Sequence, residues 1–481
     1  MPKVLKTVAL VAVTAGAALV AVRLYDIQRG PPLGPWHTHV PHELSRAELR
    51  RTDWAGYIAA ENAAFAEVRA EVTERLPPEA RVAANRYFEG SPIYPGRFKQ
   101  DWNRSYVLEP AGPPRGVVVL LHGLTDSPYS LRHVAALYRD HGFVAIGIRL
   151  PGHGTVPAGL TRVEWPDWLE ATRLAVREAR RRVAAPLPLH IVGYSNGGAL
   201  ALKYALDALD DEQGLARPDR LVLLAPMIGV TELSRFAGLL GWPAVFPPFA
   251  KAAWLGVVPE VNPFKFDSFP VNAARQSSLL TRDLQGHIVR EERAGRLARL
   301  PPILSFQSVA DATVSTRAVV TALYARLPAN GSELVLFDLN RNIKFGPLLR
   351  DAADPLGSRL LPPAPRRFRA TWIANADADT LRVVERTTEA GSADERTRPL
   401  ALAYPREVFS LSHVAVPFPV TDPLYGLEPD GREDFGINLG ALAVRGEHRT
   451  LVVGFDFLSR LRSNPFYPYM AERIAETIPP N

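Results

Sequence analysis

Residues 193 to 198 read Gly-Tyr-Ser-Asn-Gly-Gly, between the apolar run "PLHIV" and the helix-forming series "ALALKYALDAL". A serine hydroxyl between glycines at such a junction is a candidate nucleophile. On a sharp strand-to-helix turn, Gly193 and Gly197, two before and two after Ser195, remove side chains that would clash. The helix starting behind Ser195 also points its amide dipoles at the reacting centre. A serine stays a poor nucleophile until a base takes its proton, so a histidine is required, and usually a carboxylate to orient it.

Where the nucleophile sits on such a turn, acid and histidine follow it in that chain order. Three histidines lie downstream: His287, His413 and His448. His287 falls in a long interruption before the next strand, and His448, in "RGEHRT", reads as surface. His413, in "EVFSLSHVAVPFP", follows an alternating strand-like run and precedes a loop-making proline, and is the expected base. The acid should follow the strand "PPILSFQ", where "SVADATVS" offers Asp311. Asp338 in "LVLFDLN" competes from a less exposed position, and Asp377 and Asp379 belong to a hairpin turn. Asp311 would hold the imidazole in the right tautomer without taking its proton. The oxyanion needs two donors. The amide of Asn196 is one, and the amide of Leu124, after His122-Gly123, is the other. His122 and the "PGHG" at 151 to 154 read as structural, with no catalytic histidine among them.

These residues need a scaffold. Val117 to Leu121 is a continuous apolar run, as a strand covered on both faces should be. The helical "SLRHVAALYRDHG" follows, then the strand "FVAIGI", the helix "DWLEATRLAVREARRRV" and the strand "LHIVG". After "NGGALALKYALDAL" come "RLVLLAP", "PPILSFQ", the helix "STRAVVTALYARL" and "ELVLFDL". Strands alternating with helices of about 10–15 residues imply an α/β fold, a mostly parallel sheet with helices on both faces. Ligands bind such sheets at the carboxyl ends of strands, where Ser195 falls.

"LLHGLTDSP", "RLPGHG", "GYSNGG", "SVADATV" and "SLSH" occur in an order that resembles the α/β-hydrolases, and within them the monoacylglycerol lipase and lysophospholipase-like branch. The resemblance covers roughly residues 105 to 230 and 300 to 340 and the surroundings of His413. It implies a Ser195–Asp311–His413 triad, Leu124 and Asn196 as oxyanion donors, and ester hydrolysis through an acyl-enzyme without metal or cofactor. Two features depart from the family pattern. Over seventy residues separate Leu339 from His413, and the amino-terminal region is unlike that of the compact enzymes.

Residues 231 to 300 carry Phe236, Leu240, Trp242 and Trp254, enough apolar surface to line an acyl pocket beneath a cap or to pack the cap on the core. The expected substrate is a lipid-like acyl ester. An amidase or peptidase with the same triad, or a non-catalytic membrane-anchored scaffold, are the alternatives.

Composition narrows the classes. The chain of 481 residues carries a net charge of +6, but no basic run alternates with stacking aromatics, which disfavours nucleic acid as a partner. Without cysteine there is no disulfide and no thiolate nucleophile. His37, His39 and His42 lie in a Pro-rich stretch without acidic companions and read as a solvated linker, with no metal expected. Lys3 and Lys6 precede sixteen uncharged residues, Thr7 to Val22. This run predicts a single-pass anchor in a bacterial inner membrane with the catalytic part periplasmic, or a cleaved signal. The division expected is anchor 1–25, linker and helical extension 26–105, hydrolase core 106–230 and 301–340, cap 231–300, β-rich insertion 341–406, and histidine loop with C-terminal segment 407–481. Within the extension, 43 to 76 reads as one amphipathic helix with Ser45 as N-cap and Glu48 three residues on.

Overall fold

The structure, a computed structural model, describes residues 31–210, 212, 214–229, 247–342, 360–406, 408–440, 443–446 and 457–480, together with Thr7 and Thr14. Its first strands are β1 (Tyr106–Leu108), β2 (Gly116–Leu121), β3 (Phe143–Ile148), β4 (Leu189–Tyr194) and β5 (Arg220–Leu224). A small antiparallel pair follows, β6 (Trp254–Gly256) with β7 (Phe269–Pro270). Then come β8 (Ile303–Ser308), β9 (Glu333–Phe337), β10 (Arg369–Asn375), β11 (Arg382–Thr388) and β12 (Glu395–Ala403). The main sheet has the order β1-β3-β2-β4-β5-β8-β9-β10-β11-β12. From β3 through β10 each neighbouring pair is parallel, while β1, β11 and β12 pair antiparallel at the two edges.

The uninterrupted apolar strands are explained by cover on both faces. Val117, Val119 and Leu121 of β2 point into a core that includes Trp168 and Leu174 of a helix at Trp165–Arg182, and Leu200 of a helix at Asn196–Asp207. Val118 and Leu120 point the other way, against Val134 and Tyr138 of Arg132–Asp140 and Met470 and Ile474 of Tyr467–Ala475. A strand buried on one face alone would alternate with polar residues.

Among the described residues the α-helices are, in chain order, α1 (Pro35–Thr38), α2 (Arg46–Arg51), α3 (Trp54–Val68), α4 (Arg132–Asp140), α5 (Trp165–Arg182), α6 (Asn196–Asp207), α7 (Val271–Arg293), α8 (Thr316–Ala318) and α9 (Tyr467–Ala475). A second sheet carries β13 (Ser410–Leu411), β14 (Ala443–Gly446) and β15 (Phe457–Leu461), in the order β13-β15-β14.

Several expectations change. The single helix over 43–76 is two helices. Ser45 and Glu48 form the capping box of α2, but Thr52 ends it and the Asp53 carboxylate caps α3 by accepting from the Gly56 amide. An aspartate that can cap a new helix competes with continuing the old one. The histidine stretch is no solvated linker either. His37 is buried, accepts from the Gly34 amide at 3.0 Å and bonds Ser268 at 3.0 Å, while His39 pairs with Glu67. Burial lowers the His37 pKa to about 4, so it sits neutral. Part of the expected cap builds the core: Leu280, Leu284 and Ile288 of α7 are buried beside α6. In the expected β-rich insertion, β10 adds a parallel strand to the main sheet beside β9, and β11 and β12 continue it.

The membrane anchor expected over 1–25 is withdrawn, and with it the inner-membrane and periplasmic placement. Among the described residues no helix is long and apolar enough to cross a membrane. The run that suggested it lies outside the described residues apart from Thr7 and Thr14. Sixteen helical residues reach about 24 Å against a hydrocarbon core of about 30 Å, so a span needed flanking charges to stretch it.

The amino-terminal helices dock through charge. Arg149, just past β3, is buried and bonds Glu43 at 2.7 and 2.9 Å and Glu61 at 3.1 Å, and the Tyr57 hydroxyl donates to its carbonyl. Charges so buried persist only when paired.

Candidate active site

Ser195 stands between β4 and α6 with φ 54° and ψ −114°, a conformation L side chains rarely adopt. Backbone hydrogen bonds hold it there. Its amide donates to Leu224 at 3.0 Å, and its carbonyl accepts from Gly198 at 3.0 Å and Met227 at 2.9 Å. The glycines are explained by contact. A Cβ at Gly193 would lie 2.4 Å from the Gly197 carbonyl oxygen, and one at Gly197 only 1.9 Å from that of Leu121. The helix packs against the end of β2 too closely for any side chain there.

Asp311 lies on the turn after β8. Its Oδ1 accepts from the amides of Thr313 at 2.8 Å and Val314 at 3.0 Å, and its Oδ2 lies 2.7 Å from His413 Nδ1. Burial opposes its charge. The His413 charge and hydrogen bond, then the two amides, outweigh that and hold the carboxyl below its usual range. An ionised Asp311 accepts, so His413 Nδ1–H is the donor of this bond.

His413 follows β13. Its ring stacks on Tyr194 with centroids 5.4 Å apart and planes at 28°, and the Tyr194 hydroxyl donates to its carbonyl at 3.3 Å. The histidine therefore rests on the residue immediately before Ser195. Asp338, the rival acid, is engaged elsewhere, accepting from the Leu339 amide and pairing with Arg341. His287 lies on α7 against Lys203 and Glu291. Asp377 accepts from the Asp379 amide in an exposed turn, and His448 lies outside the described residues.

The Asn196 amide opens α6, where the first four N–H groups of a helix have no intrahelical acceptor. Leu124 lies on the turn after β2 next to Thr125, whose φ is 61°. That turn is held from two sides. The Phe266 amide donates to the Thr125 carbonyl at 2.7 Å, and His122 bonds the Gly123 carbonyl through Nδ1 while accepting from the Leu150 amide at Nε2. Burial lowers the His122 pKa to about 3. It is a neutral brace between two loops. His153 likewise bonds the Pro151 carbonyl and packs on Trp168.

Two neighbours escaped the reading of the sequence. Gln307, near the end of β8, donates to Asp311 Oδ2 at 3.1 Å and to Thr316 Oγ1 at 3.1 Å. Its only signal is an amide in a run that is otherwise covered on both faces. Tyr194, the residue before the serine, props the histidine and carries no signal beyond its size. Of the proposed pocket residues, Phe236, Leu240 and Trp242 lie outside the described residues. Trp254 is buried on β6 with its indole edge-on to His37 at 4.9 Å.

Residues 112–339, which include the serine turn, the Leu124 turn and Asp311, match the family model described as serine aminopeptidase, S33. With the parallel sheet and the strained serine turn, this decides the fold. The chain has an α/β-hydrolase fold. A thermostable monoacylglycerol lipase of Bacillus sp. (strain H-257) is 30% identical over 128 residues, 26% of this chain and 50% of that protein. The chain thus spans about half the length of the curated relative it matches. Among solved structures, a metagenome-derived lipolytic enzyme aligns at 22% identity over 50% of this chain and 88% of its own, with a TM-score of 0.39. A monoglyceride lipase of Saccharomyces cerevisiae aligns at 15% over 48% and 81%, with 0.37, and a Paleococcus ferrophilus monoacylglycerol lipase at 17% over 49% and 88%, with 0.36. A cavity of about 320 Å³ between α3 and the Gly154–Thr155 loop is lined by none of Ser195, Asp311 or His413.

Proposed function

We propose that this protein is a serine hydrolase that cleaves carboxylic acyl esters, lipid-like ones in particular, through an acyl-enzyme. The observation that carries the reading is the imidazole of His413, bonded at 2.7 Å to a buried carboxylate and stacked on the residue preceding a strained serine. In this reading His413 Nε2 takes the proton from Ser195 Oγ as that oxygen attacks the ester carbonyl. The negative oxygen of the tetrahedral intermediate is received by the amides of Leu124 and Asn196. The imidazolium, stabilised by Asp311, returns the proton to the departing alcohol. Water then repeats the sequence on the acyl-enzyme and releases the acid.

The choice of ester is supported by the monoacylglycerol lipase of Bacillus sp. (strain H-257) that the chain resembles. A second reading, hydrolysis of an amide or peptide by the same triad, is favoured by the family description, serine aminopeptidase. Full-length protein and its Ser195→Ala variant, assayed side by side on p-nitrophenyl butyrate and on an aminoacyl p-nitroanilide, separate the two. The ester is expected to turn over faster, and the variant to lose about 10³-fold or more in kcat with its fold retained. Undiminished ester hydrolysis by Ser195→Ala would refute the mechanism.

A further inference from the structure

Asp422, nine residues beyond His413, is wholly buried and gathers five donors from two parts of the chain. Its Oδ2 accepts from Arg132 Nη1 at 2.6 Å and from His133 Nε2 at 2.8 Å, and its Oδ1 accepts from the Tyr129 hydroxyl at 3.0 Å. Oδ1 also accepts from the amides of Leu424 at 2.9 Å and Tyr425 at 2.7 Å. The Arg132 guanidinium lies 4.1 Å from the centre of the Tyr129 ring and reaches Glu433 at 3.4 Å. Burial opposes the charge of Asp422, and Arg132, then His133, more than offset it, holding the carboxyl far below its usual range.

What this knot joins gives it meaning. Tyr129, Arg132 and His133 follow directly on the turn that carries Leu124. The path from His413 to Asp422 is a run of short turns without slack: Ala415 donates to Ser412, Phe418 to Ala415, and Asp422 to Pro419. The same knot stacks Tyr129 on Phe264 with centroids 4.3 Å apart, and two residues on, the Phe266 amide holds the Thr125 carbonyl. We infer that Asp422 is a positioning residue that fixes the loop bearing His413 relative to the turn bearing Leu124, an inference that rests on the catalytic reading above. A general base and an oxyanion donor carried on loops from distant parts of the chain must be held to a fraction of an ångström for the transition state to meet both.

The test is Asp422→Asn in the full chain. Asparagine keeps the oxygen that accepts from Leu424 and Tyr425 but sets an NH₂ against Arg132 and His133. With p-nitrophenyl butyrate, well below the unfolding temperature, kcat is expected to fall at least 10-fold with KM within twofold. Labelling of Ser195 by a fluorophosphonate should slow in parallel. The downfield proton resonance of His413 Nδ1–H, assigned by its loss in His413→Ala, should shift or broaden. Ile474→Ala, in the core of α9, supplies a variant of lowered stability and is expected to keep kcat within twofold. Should Asp422→Asn fail to fold, His133→Asn removes one donor from the rim of the knot and should cost 2- to 5-fold in kcat. Unchanged kcat and an unmoved resonance in folded Asp422→Asn, or in His133→Asn when that variant stands in, would overturn the inference. Activity in Ser195→Ala would instead remove the reading beneath it.

Discussion

Replacing Ser195 by glycine should leave a more stable protein than replacing it by alanine. Both variants lose the hydroxyl, so their difference isolates the backbone. At φ 54° and ψ −114° a Cβ is strained, and such residues cost about 1–3 kcal/mol each. The structure shows what sustains the strain. The three hydrogen bonds to Leu224, Gly198 and Met227 are worth about 1 kcal/mol apiece, enough to hold the turn against it. Glycine removes the strain but gives the unfolded chain more freedom, which costs about 0.4–1 kcal/mol. The balance favours Ser195→Gly over Ser195→Ala by about 1 kcal/mol, or about 1–2 °C in Tm for a chain of this size. Urea denaturation of the two variants measures it, with unfolding rates at fixed temperature as the substitute if unfolding proves irreversible. If Ser195→Gly were the less stable by half a kcal/mol or more, the elbow would store no strain and the account of the nucleophile turn would be wrong.

Asp311→Asn should lower kcat about 10³- to 10⁴-fold with little loss of stability. Its oxygen still accepts from Thr313 and Val314, but its NH₂ faces Gln307 and His413, both donors. Steady-state kinetics with p-nitrophenyl butyrate read this, and a loss under 10-fold would remove Asp311 from the mechanism. Glu260, buried and beside Asp267, has its pKa pushed up to about 7, although the amides of Asp267 and Ser268 donate to it. A carboxyl whose folded pKa is raised binds more protons folded than unfolded, so stability falls as pH rises from about 4.5 through 7. Wild type should lose about 3 kcal/mol across that window relative to Glu260→Gln, read as urea midpoints at pH 5 and pH 8. Parallel pH profiles of the two proteins would refute it.

Local information was enough to read the alternating strands and helices and the serine turn. "GVVVLL", "FVAIGI" and "LVLL" are each a continuous apolar segment because both faces of a parallel sheet are covered, which favours apolar side chains at every position. The glycines around Ser195 are required by contacts a few residues away and by one strand neighbour, so their spacing shows in the sequence itself. The helix expected over 43–76 went wrong where a cap and a helix interior compete, and packing settles such contests.

Long-range pairing decided the rest. Which carboxylate meets His413 depends on a contact 102 residues apart in sequence. That Asp338 pairs instead with Arg341, and that Gln307 bonds Asp311, are likewise contacts that only the folded chain makes. The stretch between Leu339 and His413 read as an insertion, since a sequence shows strands without their partners, and hydrogen bonding to β9 makes it an extension of the main sheet. His37 and Asp422 look like surface residues by type, yet both are buried, because burial belongs to the assembled fold. Composition and periodicity thus determined the elements and the serine turn, set by neighbours within a few residues. The pairing of Asp311 with His413 was decided by the tertiary structure, because only chain closure over a hundred or more residues brings their atoms into contact.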